Sequence, residues 1–329
     1  MTKPNHPPTV HLPWWMWIVP CIWAGAFLTG KAALDELSPD TVTFVRFAIT
    51  VLGGAVVLRP SIVETFAARP DRWQWGAIAL LALTGGVAYH VTFYAGLART
   101  QPPIASVVIA TNPILTTLGA VVFLRDRRSI VALFIGLTLA FTGSVLLAMD
   151  KPFPGIAALG PDGASLGLVD RLVNGWGLGE TLCLIASFSW AVFAVLMQHF
   201  RAGLLANLPG TGVTFLVYAL TALALLPIVI TSGGIRAIPD MSPAAWGCML
   251  YLGLLATVFA YTVYNAGLDR VGSSRVSQVT YAVPALATLL TIALVPSFDP
   301  SWRTWIGLAF VTCGLIVSDG RLWQRVMRN

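Results

Sequence analysis

The chain has 329 residues, of which 57% are hydrophobic and only 10% charged, and its mean hydropathy is +0.78. Soluble globular domains carry roughly 25% charged residues, so this composition excludes a water-soluble fold and indicates that lipid surrounds much of the chain. The net charge of +6 would suit a nucleic-acid partner. However, the basic residues stand in loops beside apolar runs, where they indicate membrane topology, and no nucleic-acid partner is expected.

The order of apolar runs predicts an all-α integral membrane protein with ten transmembrane helices. The polar segment 1–13 has no cleavable small-residue motif and is expected to remain as a cytoplasmic N-terminal segment. A spanning helix needs ~20 mostly apolar residues. Runs of this kind occur at about 14–33, 41–58, 75–97, 102–124, 129–149, 177–199, 208–230, 245–267, 274–295 and 302–319.

The basic residues are divided unequally between the two sides of the predicted membrane. If the N-terminus is cytoplasmic, thirteen Lys and Arg residues fall on that side and six on the other, with Arg46 left inside a span. Cytoplasmic loops are enriched in Lys and Arg. We therefore expect a multi-pass protein of the cell (inner) membrane with both termini cytoplasmic, including the C-terminal tail 320–329.

The two halves of the sequence resemble each other at an offset of 171 residues. They are predicted as five-helix repeats over 14–149 and 177–319, joined by a linker over 150–176. Five is an odd number, so the second copy must cross the membrane in the opposite sense. Inverted repeats place a binding site at their interface near the bilayer midplane, which predicts a central cavity and transport by alternating access. The matching segments are Val42-Thr43-Phe44 with Val213-Thr214-Phe215, Ala95-Gly96-Leu97 with Ala266-Gly267-Leu268, Pro113 with Pro284, Gly143 with Gly314, and, at an offset of 167, Trp23 with Trp190.

Three stretches carry a resemblance to a known family. They are "IWAGAFLTGKAALDELSPDTVTFVRFAIT", "FYAGLARTQPPIASVVIATNPILTTLGAVVFLRD" and "NAGLDRVGSSRVSQVTYAVPALATLL". They resemble the EamA-type repeats of the drug/metabolite transporter superfamily, which implies ten helices around a central cavity and, often, export of amino acids or related metabolites. The Tyr89-His90 pair is similar to the aromatic-amino-acid exporters of that superfamily. The Gly-Glu pair often found after the fourth and ninth helices is replaced here by Arg125-Asp126 and Ser297-Phe298-Asp299.

Polar and aromatic residues in the middle of the spans are the candidates for substrate binding. The offset pairs His90 with Tyr261 and Tyr94 with Asn265, so each helix carries an i, i+4 stripe. Pseudo-symmetry would turn both stripes toward the shared axis. The predicted lining of the cavity is Trp23, Tyr89, His90, Tyr94, Asn112, Trp190, Tyr261, Tyr264, Asn265 and Tyr281.

Several of these candidates also have a purely structural interpretation. His90 would satisfy a helix–helix hydrogen bond, and Trp23 and Trp190 would be ordinary packing residues. Pro113 and Pro284, the predicted hinges, leave the carbonyls four residues earlier without a donor, but they would equally suit packed kinks.

A charge inside a span is costly, so Arg46 also needs a role. We expect Arg46 to snorkel to the interface or to pair with Asp40 or Glu36. An anion-attracting role near the outer mouth is the alternative.

The chemistry missing from the spans narrows the function. No Asp or Glu lies near the middle of a predicted span, and the chain has no His-Glu-x-x-His motif, paired intramembrane Asp or Walker loop. Four separated cysteines favour neither a disulfide framework nor a metal site. We expect a transporter that is not an enzyme and uses no cofactor or metal. The alternatives are a carrier for another metabolite or drug class and, from a different class of protein, an intramembrane enzyme or lipid-handling protein. Any proton coupling would run through His90. Substrate identity, direction and oligomeric state stay open.

Overall fold

The computed structural model is helical wherever it describes regular structure. It describes residues 12–100, 102–124, 130–148, 177–272, 276, 279–280, 282–294 and 300–318. The loop 125–128, the linker 150–176, the tail 320–329 and the predicted site residue Tyr281 lie outside the described residues.

Six helical segments are long and apolar enough to cross a membrane, so the chain is a multi-pass membrane protein. Each coincides with a predicted span to within a few residues. The other four predicted spans overlap the described helices Pro102–Ile109, Asn112–Phe123, Ile130–Ala148, Ala282–Leu294 and Trp302–Ser318. The six segments are Trp14–Ala33, Pro39–Val57, Arg72–Arg99, Leu178–Ala202, Gly210–Thr231 and Pro243–Val271.

The helices are numbered in chain order. The first part contains α1 (Ile18–Ala33), α2 (Pro39–Val57), α3 (Arg59–Ala67), α4 (Arg72–Leu81), α5 (Tyr89–Arg99), α6 (Pro102–Ile109), α7 (Asn112–Phe123) and α8 (Ile130–Ala148). The second part contains α9 (Leu178–Ala202), α10 (Gly210–Thr231), α11 (Pro243–Leu250), α12 (Ala260–Val271), α13 (Ala282–Leu294) and α14 (Trp302–Ser318).

Two of the spans contain a π-helical segment in the middle. Residues Ala82–Ala88 join α4 to α5, and Tyr251–Phe259 join α11 to α12. The 171-residue offset relates these two places. A π-helical segment shifts the hydrogen bonds of the helix by one residue and often marks a functional site. The hydropathy pattern gave no indication of either segment.

The predicted span 102–124 consists of two helices, α6 and α7, separated by a turn at Ala110 and Thr111. Pro113 explains the break, because it has no N–H to donate to the carbonyl of Ile109. At the break, the amide of Thr111 donates to the carbonyl of Val108, three residues earlier rather than four, at 3.1 Å. The break places Asn112 at the start of α7.

Contacts between the two parts of the chain occur in pairs related by the same offset. Thr50 Oγ1 donates to the carbonyl of Gly253 at 3.0 Å, and Thr221 Oγ1 to that of Ala82 at 3.5 Å. Helices α8 and α14 pack in the same reciprocal way. Gly143 faces the backbone of Gly307 and Val311, and Gly314 faces that of Gly136 and Ala140.

A second related pair of contacts links loops to the ends of spans. Glu36 accepts hydrogen bonds from Ser242, which caps the start of α11, at 2.6 Å from Oγ and 2.9 Å from the amide. Gln74, in the first turn of α4, donates to Asn207 Oδ1 at 2.8 Å. The offset relates Glu36 to Asn207 and Ser242 to Asp71, the N-cap of the helix whose first turn holds Gln74. We call these contacts the Glu36 latch and the Asn207 latch; they lie near opposite ends of the spans.

The buried core forms two main clusters, one toward each end of the spans. One includes Met16 and Leu268, and the other includes Ala33 and Met241. Trp23, Phe44 and Tyr89 pack against both clusters and therefore lie between them. Large apolar side chains elsewhere on the helices point outward, as expected where lipid is the solvent. They include Leu52, Val56, Leu83, Phe188 and Leu223.

Candidate functional site

A cavity lies between the two parts of the chain, next to the boundary of the two core clusters. Its volume, including the open mouth, is about 600 Å³. The break at α6–α7 and the first turn of α13 contribute to the wall, together with α1, α2, α5, α9 and α12. The lining residues are Trp23, Ala26, Phe27, Arg46, Tyr89, Phe93, Ser106, Ile109, Ala110, Asn112, Trp190, Tyr261, Thr280, Val283 and Pro284.

Four predicted site residues form an aromatic wall of this cavity. The ring of Trp23 lies 6.0 Å from that of Trp190, edge to face, and 5.1 Å from that of Tyr261. Trp190 also contacts Tyr89, at 5.0 Å. The two tryptophans are the pair matched between the repeats. Such a wall can stack on an apolar or aromatic group and hold a cation against a ring face.

The π-helical segment Tyr251–Phe259 orients one of these rings. Trp23 Nε1 donates to the carbonyl of Ala256 at 3.1 Å. That carbonyl lies inside the segment Tyr251–Phe259, where hydrogen bonding is displaced from the α-helical pattern. Thr257 Oγ1, in the same segment, donates to the carbonyl of Leu252 at 2.6 Å and keeps its lone pairs for another donor.

Arg46 is the donor to Thr257 Oγ1, and the structure corrects the role that was expected of Arg46. The residue is only 4% exposed and lines the cavity rather than snorkelling outward. Its Nε donates to Thr257 Oγ1 at 2.7 Å, Nη1 to Tyr94 Oη at 2.8 Å, and Nη2 to the carbonyl of Ala256 at 3.4 Å. All three partners are neutral.

Neither carboxylate that was expected to pair with Arg46 does so. Asp40 accepts from Ser232 Oγ at 2.7 Å, and Glu36 is held in its latch by Ser242. The ion pair found within the described residues joins Arg201 to Asp269, at 3.2 Å, and not Arg46. A charge at mid-span costs roughly 2.5–3.5 kcal/mol on insertion scales. Arg46 therefore carries a buried positive charge that no described carboxylate neutralises.

Asn112 supplies the second polar feature of the wall. The residue is 2% exposed, and its Oδ1 has no hydrogen-bond partner. Buried polar atoms without a partner are rare and require an explanation. Asn112 also lines the cavity.

His90 lies in the aromatic layer next to the cavity but is not part of its lining. Its Nδ1 is 3.1 and 3.0 Å from the carbonyls of Gly85 and Gly86, which can only accept, so Nδ1 carries the proton. Nε2 then accepts from Tyr261 Oη at 3.5 Å. The ring also packs edge to face on Phe47, at 4.7 Å. In this arrangement His90 acts as a structural residue that caps the first π-helical segment.

Three other predicted site residues are buried behind the wall. Tyr94 accepts from Arg46, and Asn265 Nδ2 donates to Thr214 Oγ1 at 2.8 Å. Tyr264 packs its ring 5.3 Å from that of Trp23. These residues support the lining without belonging to it, because the i, i+4 stripes turn into the helix interfaces beside the cavity. Of the predicted hinges, Pro284 lines the cavity, and Pro113 is buried at the α6–α7 break.

Comparisons with known proteins give the family of this chain. The model of the EamA-like transporter family matches residues 13–149 and again 177–318. The chain belongs to the EamA-like transporter family. Two relatives have similar lengths. An uncharacterized transporter from Archaeoglobus fulgidus is 25% identical over 92% of this chain and 95% of its own. A protein from Streptantibioticus cattleyicolor named as a probable terminal-alkyne amino-acid exporter is 23% identical over 95% and 94%.

A solved structure shares the fold of this EamA-family transporter. It is a crystal structure that superposes with a TM-score of 0.68 at 21% identity and covers 96% of this chain and 98% of its own. At this identity, the likeness concerns the fold alone.

Proposed function

We propose that this EamA-family transporter exports amino acids or closely related small metabolites through the cavity by alternating access. The observation that carries the proposal is the composition of the wall: one buried guanidinium without a described carboxylate partner, one unpaired amide oxygen and an aromatic surface. An amino acid brings a carboxylate, an ammonium group and a side chain, which are complementary to these three features.

The positive charge of Arg46 argues against the alternative cargo of cationic drugs. A cation entering the cavity would face a like charge at short range and low dielectric, which is strongly unfavourable. The printed name of the Streptantibioticus relative is consistent with an amino-acid cargo, although its identity to this chain is low.

We further propose that ten helices form two inverted five-helix repeats, with both termini on the cytoplasmic side. The reciprocal contacts at Thr50 and Thr221, the paired glycines of α8 and α14, and the two π-helical segments support this architecture. Two packings related by the pseudo-two-fold axis would then open the cavity to either side in turn.

Counterflow in proteoliposomes tests the function. Purified protein is reconstituted with an internal excess of an unlabelled amino acid, and uptake of the labelled compound is followed for a metabolite panel, with and without an imposed pH gradient. We expect counterflow of one or more amino acids in the absence of a pH gradient, as for a facilitator. Counterflow of purines, sugars or organic cations without any amino acid would contradict the proposed cargo.

A further inference from the structure

Of the features on the cavity wall, the unneutralised charge of Arg46 is the most restrictive for a ligand. We infer that Arg46 forms a carboxylate-binding subsite, so that this transporter selects its cargo by an anionic carboxylate rather than by an ammonium group or a ring. The inference rests on the proposed function and specifies the cargo of the same cavity.

The hydrogen bonds of Arg46 leave donors free for a ligand. A guanidinium has five N–H groups and cannot lose its charge in a protein. Three of them donate to Thr257, Tyr94 and Ala256. One N–H therefore remains on each terminal nitrogen, and Arg46 lines the cavity. Two neighbouring N–H groups on a planar fork match the two oxygens of a carboxylate.

The three protein contacts hold the guanidinium in position. Nη1 is bonded to Tyr94 on α5, whereas Nε and Nη2 are bonded to Thr257 and Ala256 on the π-helical segment before α12. The contacts leave the charge uncompensated, since each acceptor is a hydroxyl or a carbonyl. A preorganised cation in a low-dielectric wall binds an anion more strongly than the same cation would in water.

The second polar feature of the wall is an acceptor, which fits the other end of a zwitterion. Asn112 Oδ1 is buried and has no partner. A carboxylate ligand without an N–H donor would leave this oxygen unsatisfied, and a ligand with both groups would satisfy Arg46 and Asn112 together. The carboxylate should matter more, because a bond between two charged groups exceeds one between an ammonium and a neutral amide.

Matched ligands separate the carboxylate from the rest of the cargo. The probes are phenylalanine, phenylalaninamide, 3-phenylpropionate and phenethylamine, together with the leucine series. Each is tested by inhibition of counterflow and by thermal stabilisation of the purified protein. We expect the amino acid to bind at least 10-fold more tightly to the wild type than its amide does. A factor of this size is the usual effect of losing a hydrogen bond to a charged group. The amine should bind most weakly.

Three variants then connect this preference with Arg46. Arg46→Gln should reduce the acid-to-amide ratio to within about 3-fold, and Arg46→Lys should keep a reduced preference for the acid because it retains the charge without the fork. Arg236→Gln, which removes an exposed arginine that does not line the cavity, should keep the wild-type ratio. Since the readout is a ratio on one protein sample, partial loss of folded protein does not change it.

The outcomes distinguish the subsite from the proposed function. If the wild type transports amino acids, their amides and amines equally well, the carboxylate subsite is wrong and amino-acid transport stands. A preference for the acid that persists in Arg46→Gln would also refute the subsite. If neither series is transported or bound, the amino-acid proposal fails and this inference fails with it. If Arg46→Gln does not yield folded protein, Arg46→Lys decides: a wild-type acid-to-amide ratio in that variant would contradict a fork-shaped subsite.

Discussion

At the scale of single residues, the sequence pattern identified polar and aromatic residues in the spans but did not distinguish those that face the cavity from those that face a neighbouring helix. The sequence placed Trp23, Tyr89, Asn112, Trp190 and Tyr261 in the lining, and the structure puts all five there. Periodicity shows which residues share a helix face, but it cannot show whether that face meets a cavity or a neighbouring helix. For this reason the same pattern also included His90, Tyr94, Tyr264 and Asn265, which are buried behind the wall.

Arg46 was misjudged for a related reason. The nearest acidic residues in the sequence, Glu36 and Asp40, suggested an ion pair, whereas both bond to serines of the second half of the chain. Of the groups that hold Arg46, Tyr94 is 48 residues away in the sequence, and Ala256 and Thr257 are about 210 residues away. No local signal announces such a contact.

The unpaired oxygen of Asn112 gives a test at this scale. Asn112→Asp keeps the shape of the side chain and adds a negative charge to the wall. The variant should favour cations, because the added carboxylate attracts an ammonium and offsets the charge of Arg46. We expect the ratio of phenethylamine to phenylalanine inhibition to rise by about 10-fold or more, measured by counterflow. An unchanged ratio would show that Asn112 does not face the cargo.

At the scale of elements, hydropathy located the spans but not their internal irregularities. The six long spans match because ~20 apolar residues are a strong signal. The short helix α3 was missed because Arg59–Ala67 contains Pro60 and polar residues that suggested a loop. The π-helical segments were missed because they differ from an α-helix in their backbone hydrogen bonds and not in the type of residue they contain.

The two latches make a prediction about access to the cavity. Glu36→Ala should loosen the spans at one end, and Asn207→Ala at the opposite end. A cysteine at Ala26 on the cavity wall, in a background without other cysteines, reports access to a membrane-impermeant thiol reagent in right-side-out and inverted vesicles. Each variant should raise labelling several-fold, but from opposite sides. If both variants raised it from the same side, the latches would not be repeat-related closures.

The Glu36 latch should also respond to pH. Ser242 lowers the pKa of Glu36 from its ordinary value, chiefly through its hydroxyl and then through its amide N–H. A carboxylate with a lowered folded-state pKa stabilises the fold above its unfolded pKa of about 4.3 and loses that effect as pH falls through the folded pKa. The melting temperature should therefore be higher for the wild type than for Glu36→Gln at neutral pH. This difference should shrink as the pH falls below about 4.3, and a difference that stayed constant down to the lowest pH at which the protein remains folded would contradict the account.

At the scale of the whole molecule, self-similarity was the most informative signal in the sequence. The same offset of 171 residues relates contacts that occur in pairs in the structure, such as Thr50 with Gly253 and Thr221 with Ala82. The offset could not predict where the halves differ. Arg46 corresponds to Val217, so the charged wall of the cavity belongs to one half alone and follows from no symmetry argument.

Topology is testable at the same scale. Arg69 and Arg236 are both exposed and lie on loops expected at opposite sides of the membrane. With single cysteines at these positions, an impermeant thiol reagent added to intact cells should label position 236 and not position 69. The reverse pattern would place both termini outside and invert the proposed direction of every span.

The central claim is that cargo passes through the aromatic cavity between the repeats, and the rate of amino-acid counterflow tests it most directly. Trp190→Ala and Tyr261→Ala remove wall residues, whereas Trp14→Ala removes a ring that is 84% exposed at the end of the first span. With reconstituted protein and orientation matched, both wall variants should lose at least 10-fold in initial rate, and Trp14→Ala should stay near the wild type. Wild-type rates in both wall variants would contradict transport through this cavity.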